Sequence, residues 1–275
     1  MKNTFTFSLY NTELFGQYWQ PQTIEAVIVL VHGMGEHSSR YEQSVVPYLL
    51  KNNIAIVTFD LFGHGNSKGK RGHCPSYKAL LESIECVIEK SKMLFPESPV
   101  FLYGHSLGGN LVINYALKEN HNLKGVIATS PLLRLAFKPP KLKMVLGKLI
   151  YMIYPSLRLS SELDVTAISR NISEVKRYKE DALVHDKISP MFVFPVTSAG
   201  EWAIANAGKS TTPTLILHGT GDKITNYKAS EEFCKNTKQA KLVVFENGYH
   251  ELHHDLCKEE FIQTINKWLD KRKLA

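Results

Sequence analysis

The sequence has few cysteines and places none of them near another. Cys74, Cys86, Cys234 and Cys257 are scattered over 275 residues, and no Cys-x-x-Cys pair occurs. That spacing argues against zinc knuckles and dithiol redox pairs. No apolar run is long enough to cross a bilayer. Residues 1–10 are polar and alternating and lack the apolar core of a secretory signal. There is no block of lysine and arginine, no RNA-binding signature and no zinc-finger spacing. The net charge of +7 therefore does not point to nucleic acid. Internal repeats and low-complexity tracts are absent as well. The expectation is a cytoplasmic globular protein with free thiols. Its 44% hydrophobic and 21% charged residues are ordinary for a globular enzyme.

What the chain does have is a series of short apolar runs closed by glycine turns. Residues 5–10 and 14–19 alternate in polarity and read as an edge hairpin turning at Asn11-Thr12-Glu13. Residues 26–31 are continuously apolar, as a strand covered on both faces must be. Further strands are expected at residues 54–59, 100–103, 125–129, 214–218 and 241–245. A helix is expected around residues 41–51. Tyr77, Leu80, Leu81, Ile84, Val87 and Ile88 recur at helical spacing, as do Phe261, Ile265, Trp268 and Leu269. Strands alternating with helices predict an α/β fold, a mostly parallel sheet with helices on both faces. Ligands bind such sheets beyond the carboxyl ends of the strands.

Residues 132–189 break this rhythm and show no clear strand. Leu142, Val145, Leu146, Leu149, Ile150 and Ile153 form a helical stripe, with Lys141, Lys143 and Lys148 between them. The segment reads as a helical cap, or lid, set between core segments 1–131 and 190–275. An apolar substrate or a membrane surface would meet such a stripe. A helix buried on both sides would carry the same pattern.

The chemistry centres on Gly104-His105-Ser106-Leu107-Gly108, between the 100–103 strand and a helix expected over residues 110–117. Gly-x-Ser-x-Gly in that context is a nucleophile elbow. The turn is so sharp that side chains at Gly104 and Gly108 would collide with their neighbours. Ser106 is left projecting in a strained conformation. A serine hydroxyl needs a base, usually a histidine oriented by a carboxylate. In this fold the order along the chain is serine, acid, histidine. Asp222 follows the 214–218 strand in Gly219-Thr220-Gly221-Asp222 and fits the acid; Asp60, Asp164 and Asp181 fit less well. His250, just past the last strand, fits the base, with His253 and His254 as its nearest rivals. His32, His64, His105 and His218 read as structural hydrogen-bonding residues.

Residues 250–254 also match the zinc-protease pattern His-Glu-x-x-His. That chemistry needs the motif on a helix, and Asn247-Gly248 just upstream argues for a loop. An oxyanion hole needs two N–H donors. Leu107, directly after the nucleophile, and Met34, in the loop after the 26–31 strand, are the candidates.

Taken together, these motifs resemble the monoacylglycerol lipase/lysophospholipase branch of the α/β-hydrolases. The matching pieces are His32-Gly33-Met34-Gly35-Glu36-His37 with Arg40-Tyr41, Asp60-Leu61-Phe62-Gly63-His64-Gly65-Asn66-Ser67, residues 104–109, Leu217-His218-Gly219 with Asp222, and Gly248-Tyr249-His250. The resemblance implies an eight-stranded core and a cap after the sixth strand. It implies a Ser106–Asp222–His250 triad, an oxyanion hole at Met34 and Leu107, and no cofactor or metal. Substrates would be monoacylglycerols, lysophospholipids or simple carboxylic esters. The glutamate matching Glu36 lies near the polar head pocket. A short-chain carboxylesterase, a thioesterase, a peptidase and a hydrolase-fold ligand-binding protein with little turnover remain as alternatives.

Overall fold

The computed structural model describes residues 2–118 and 122–273; the other residues of the expected core, 1, 119–121 and 274–275, lie outside them. Strands β1 (Lys2–Leu9) and β2 (Thr12–Trp19) open the chain as an antiparallel hairpin. Leu9 pairs with Thr12, so the turn is Tyr10-Asn11, both left-handed at φ 50° and 54°. The expected turn at residues 11–13 is corrected to this tighter one. A two-residue turn of this hand matches the right-handed strand twist, and asparagine tolerates the left-handed region.

Strands β3 (Ala26–Val31) and β4 (Ile54–Phe59) are buried along their whole length. Between them the single helix expected at 41–51 divides into a 3-10 turn at Ser38–Tyr41 and helix α1 (Val46–Lys51). Pro47 starts the second piece, because a helix tolerates proline only in its first turn. Helix α2 (Tyr77–Leu94) begins where the Ser76 hydroxyl accepts the Ala79 N–H at 3.0 Å. Strand β5 (Val100–His105), helix α3 (Leu107–Lys118) and strand β6 (Gly125–Thr129) follow. Next come helix α4 (Lys141–Ile153), strand β7 (Leu159–Ser160), helix α5 (Ile172–Glu180) and strand β8 (Lys187–Ile188). The chain ends with helix α6 (Pro190–Asn206), strand β9 (Thr214–Gly219), helix α7 (Tyr227–Lys235), strand β10 (Ala240–Phe245) and helix α8 (Lys258–Lys273).

The main sheet has eight strands in the order β1-β2-β4-β3-β5-β6-β9-β10. Every pairing from β4 to β10 is parallel, and only the hairpin side is antiparallel. The two-residue period of a strand divides the core into two layers. Val27, Val29 and Val31 pack with Leu80, Ile84, Leu111 and Phe192 of α2, α3 and α6. Ile28 and Leu30 pack with Leu49, Phe261 and Ile265 of α1 and α8.

Residues 132–189, expected to be helical without strands, contain one antiparallel pair, Leu159 with Ile188 and Ser160 with Lys187. A ladder of that length is too short to leave a periodic signature. Helix α4 leans on α6 through Gly147 and Tyr151 against Phe194. Its apolar stripe faces outward: Leu142, Val145, Leu146 and Leu149 are 70%, 59%, 51% and 51% exposed. This rules out the reading in which the helix is buried on both sides. Among the described residues no helix is long and apolar enough to cross a membrane.

The contrast between α4 and the core sets a test by urea denaturation. Leu149→Ser is expected to change the unfolding free energy by less than about 0.5 kcal/mol, whereas Ile84→Ala should cost about 2–5 kcal/mol.

Candidate active site

The site forms where β5 turns into α3. Ser106 has φ 53°, a left-handed value that a residue bearing a side chain rarely adopts. Its neighbours hold it there. A Cβ on Gly104 would strike the carbonyl of Gly108, and one on Gly108 would strike the carbonyls of Val31 and His32. The Ser106 N–H donates to Thr129 O at 2.9 Å, and its carbonyl accepts from Leu132 at 2.9 Å and Asn110 at 3.0 Å. Ser106 is 8% exposed. Leu107 is the first residue of α3, so its N–H belongs to the helix turn that lacks intrahelical acceptors.

Met34 lies in the loop after β3, half-buried. Gly33 presses this loop against the elbow, since a Cβ there would stand 3.2 Å from the Ser106 Cβ. His32 braces the loop from within. Its Nε2 accepts the Leu61 N–H at 2.9 Å, so the proton sits on Nδ1, which donates to Gly33 O at 2.7 Å. Asp60 is equally committed to loop structure: it accepts the N–H groups of Ser38 and Asn66, each at 2.8 Å.

Asp222 and His250, at the carboxyl ends of β9 and β10, come together. His250 Nδ1–H donates to Asp222 Oδ2 at 2.7 Å, which leaves Nε2 with the free lone pair. Burial opposes charge on the imidazole, but the Asp222 carboxylate outweighs it, and the His250 pKa is raised above 6.5. Burial likewise opposes the Asp222 carboxylate, yet His250 and His218 hold its pKa well below the usual range. The His250 ring lies 4.8 Å from that of His105, the residue before the elbow serine. Ser130, one residue past the acceptor of the Ser106 N–H, donates its hydroxyl to His250 O at 2.7 Å.

The rival acids and His254 are engaged elsewhere, and neither ring nitrogen of His253 has a hydrogen-bond partner among the described residues. Asp164 caps a 3-10 turn at Thr166, and Asp181 pairs with His37 at 2.9 Å. His254 faces Glu174 at 3.2 Å, and His253 stacks on Tyr41 at 4.9 Å. The His-Glu-x-x-His stretch does not form the helix its zinc chemistry needs, because only a 3-10 turn at Leu252–His254 follows His250. Glu251, His253 and His254 do bring potential ligand atoms within 4.8 Å of one another. Arg40 claims both Glu251 oxygens, at 2.6 and 2.8 Å, and its positive charge opposes a cation there.

That ion pair is one functional feature the sequence reading did not isolate. Arg40 also donates to Glu36 Oε2 at 2.9 Å, and its guanidinium lies 4.6 Å from the Tyr178 ring on α5. Glu36 Oε1 takes the Gly33 N–H at 2.6 Å and the Tyr41 hydroxyl at 2.8 Å. Burial pushes the Glu36 pKa up, but Arg40 above all brings it down to about 2. Glu36 is thus placed beneath the loop that carries Met34. The four-residue spacing from Glu36 to Arg40 was a visible signal. Glu251 was masked by its place inside the zinc-like pattern. The other features passed over are His218 and Thr225, both hydrogen-bonded to Asp222.

Sheet order, elbow and acid–histidine pair define the chain as an α/β-hydrolase. Residues 22–257 match the family described as serine aminopeptidase, S33. An uncharacterized abhydrolase domain-containing protein of Dictyostelium discoideum is 38% identical over 92% of this chain, which spans 27% of that relative's length. A monoglyceride lipase homolog of Monkeypox virus is 30% identical, with 99% of each chain covered. The crystal structure of Paleococcus ferrophilus monoacylglycerol lipase superposes with TM-score 0.87 at 37% identity, covering 94% of this chain and 99% of that one. The chain belongs to the serine aminopeptidase S33 family. It falls in the monoglyceride lipase branch of the α/β-hydrolases, a branch of carboxylic ester hydrolases.

The buried charges generate a prediction. Arg40→Met leaves the Glu36 and Glu251 carboxylates buried without their cation, and is expected to destabilise the fold by about 3–5 kcal/mol in chemical denaturation. A loss below about 1 kcal/mol would show that the pair is not held as described.

Proposed function

We propose that the protein cleaves carboxylic esters of monoacyl lipids through a Ser106–His250–Asp222 triad and an acyl-enzyme. Ser106 Oγ bonds to the ester carbonyl carbon while His250 Nε2 takes the hydroxyl proton. Asp222 steadies the imidazolium. The N–H groups of Met34 and Leu107 hold the negative oxygen of the tetrahedral intermediate. As it collapses, the bond to the alcohol oxygen breaks and His250 returns the proton to that oxygen. Water then attacks the acyl group with His250 again as base, releasing the acid and restoring Ser106. The 2.7 Å hydrogen bond from His250 to Asp222, with the His250 ring 4.8 Å from that of His105, the residue before a left-handed serine, is the observation that supports this reading most strongly.

The monoacyl substrate is inferred from relatives named as monoglyceride or monoacylglycerol lipases. Glu36 already accepts from Gly33, Tyr41 and Arg40, so its proposed part is to shape the polar end of the pocket. Residues 132–189 are proposed to act as the lid. The outward stripe of α4, flanked by Lys141, Lys143 and Lys148, suits transient contact with an anionic lipid surface.

Ser106→Ala is expected to abolish hydrolysis of p-nitrophenyl esters and of monooleoylglycerol while the circular dichroism spectrum stays native. Undiminished turnover would refute the assignment. Neutral His250 is the active form, so kcat/KM should fall on acidification, with the midpoint above 6.5 because the pKa is raised. A pH–rate profile measures it. With vesicles containing phosphatidylglycerol, Leu146→Glu together with Leu149→Glu should weaken binding at least about tenfold in a sedimentation assay. Equal binding by the wild type and this variant would remove the lid from membrane contact.

A further inference from the structure

His218 is the penultimate residue of β9 and is fully buried. A neutral imidazole in that position must satisfy both ring nitrogens from the protein. Nδ1 lies 2.8 Å from the Ser230 hydroxyl on α7. Nε2 lies 3.2 Å from Asp222 Oδ2, 3.2 Å from the Thr225 hydroxyl and 3.3 Å from Thr225 O. A carboxylate and a carbonyl only accept, and the Thr225 hydroxyl gives its one proton to Asp222 Oδ2 at 2.7 Å, so the ring proton belongs on Nε2. Nδ1 then accepts the Ser230 hydroxyl proton. The tautomer follows from the partners.

Asp222 is therefore gripped from several directions. Oδ1 accepts the N–H groups of Ile224 at 2.8 Å and Thr225 at 3.0 Å. Oδ2 accepts His250 Nδ1–H at 2.7 Å, the Thr225 hydroxyl at 2.7 Å and His218 Nε2–H at 3.2 Å. The turn residues hold one oxygen. The other, which faces the base, depends on Thr225 and His218 for its direction. His218 is in turn fixed by the backbone of the central sheet and by Ser230.

We propose that His218 is a positioning residue for catalysis, a second histidine that aims the Asp222 carboxylate at His250. The inference rests on the triad reading above and deepens it. Its action has two parts. It limits rotation of the carboxylate, so that Oδ2 stays in line with His250 Nδ1. It also draws negative charge from that oxygen, so that the base is less strongly charged at neutral pH than a bare carboxylate would make it. Other charged and titratable groups face the pair. His105, Glu36 and Glu251 lie on the His250 side, and Tyr227, at 6.5 Å between ring centroids, lies beside His218.

The test compares steady-state kinetics and pH profiles of four variants on a p-nitrophenyl ester. His218→Leu removes the donor and fills the space. Its kcat should fall about 10–100-fold, KM should stay within about twofold, and the acid limb of kcat/KM should move to higher pH. His218→Gln can put an amide N–H where Nε2–H was, and should restore most of the lost kcat. Ser230→Ala frees the His218 ring without emptying its place, and should lower kcat by a smaller factor. It carries the test if the leucine variant does not fold. The inference is overturned if His218→Leu keeps the wild-type kcat and acid limb, if glutamine restores nothing, or if an unfolded leucine variant is accompanied by a wild-type Ser230→Ala. Asp222→Asn separates the two levels. If it is fully active, the triad reading fails. If it is inactive while His218→Leu behaves as wild type, only the role of His218 fails.

Discussion

The structure depends on one forced backbone conformation, the left-handed turn at Ser106. With φ at 53°, the serine sits in a region that disfavours side-chain-bearing residues. Strain of this kind survives only where the surroundings over-determine it. Here they do. The Gly104 and Gly108 backbones are pressed against neighbouring carbonyls that leave no room for a Cβ. Thr129, Leu132 and Asn110 bind the serine's own backbone groups from three sides. The parallel sheet supplies that rigidity, because β5 lies between β3 and β6, paired on both edges. The hydroxyl is thereby fixed at the carboxyl end of the sheet, where the loops after β3, β9 and β10 converge.

Those loops are then tied to one another by charge. Arg40 joins Glu36, beneath the Met34 loop, to Glu251, beside His250, and its guanidinium lies over Tyr178 of α5. A buried ion cluster of this sort adds little stability against an apolar alternative, but it is costly to break. Its value lies in geometry. The loop expected to supply an oxyanion donor and the loop carrying His250 share one guanidinium, so neither can drift without unpairing a buried charge. His37 and Asp181 add a second link between the same loop and the segment after α5.

Much of this was legible in the sequence, for definite reasons. Buried parallel strands are continuous apolar runs, and residues 26–31 and 54–59 are such runs, so β3 and β4 fall where they were expected. The elbow was legible because glycine at 104 and 108 is a steric necessity and not a preference. The pairing of Asp222 with His250 could be anticipated because chain order and strand ends narrowed the choice. Features that depend on tertiary contact were not. The hairpin turn shifted to Tyr10-Asn11 because strand twist, not composition, sets its hand. The β7–β8 pair is too short to carry a period, and the outward face of α4 was settled by which side meets α6. Arg40 and Glu251 are 211 positions apart, and nothing local foretells their pairing. His218 resembled any glycine-flanked histidine until its Nε2 was seen 3.2 Å from Asp222.

The central claim is that the reaction passes through an ester on the elbow serine. The most direct measurement is to mix the protein with p-nitrophenyl acetate, quench it in acid within the first turnover, digest it and map the acetyl mass by tandem mass spectrometry. The account predicts one acetyl group on the peptide spanning the elbow, at Ser106. Acetyl on a different residue, or steady turnover with no acylated peptide trapped at any time, would contradict it.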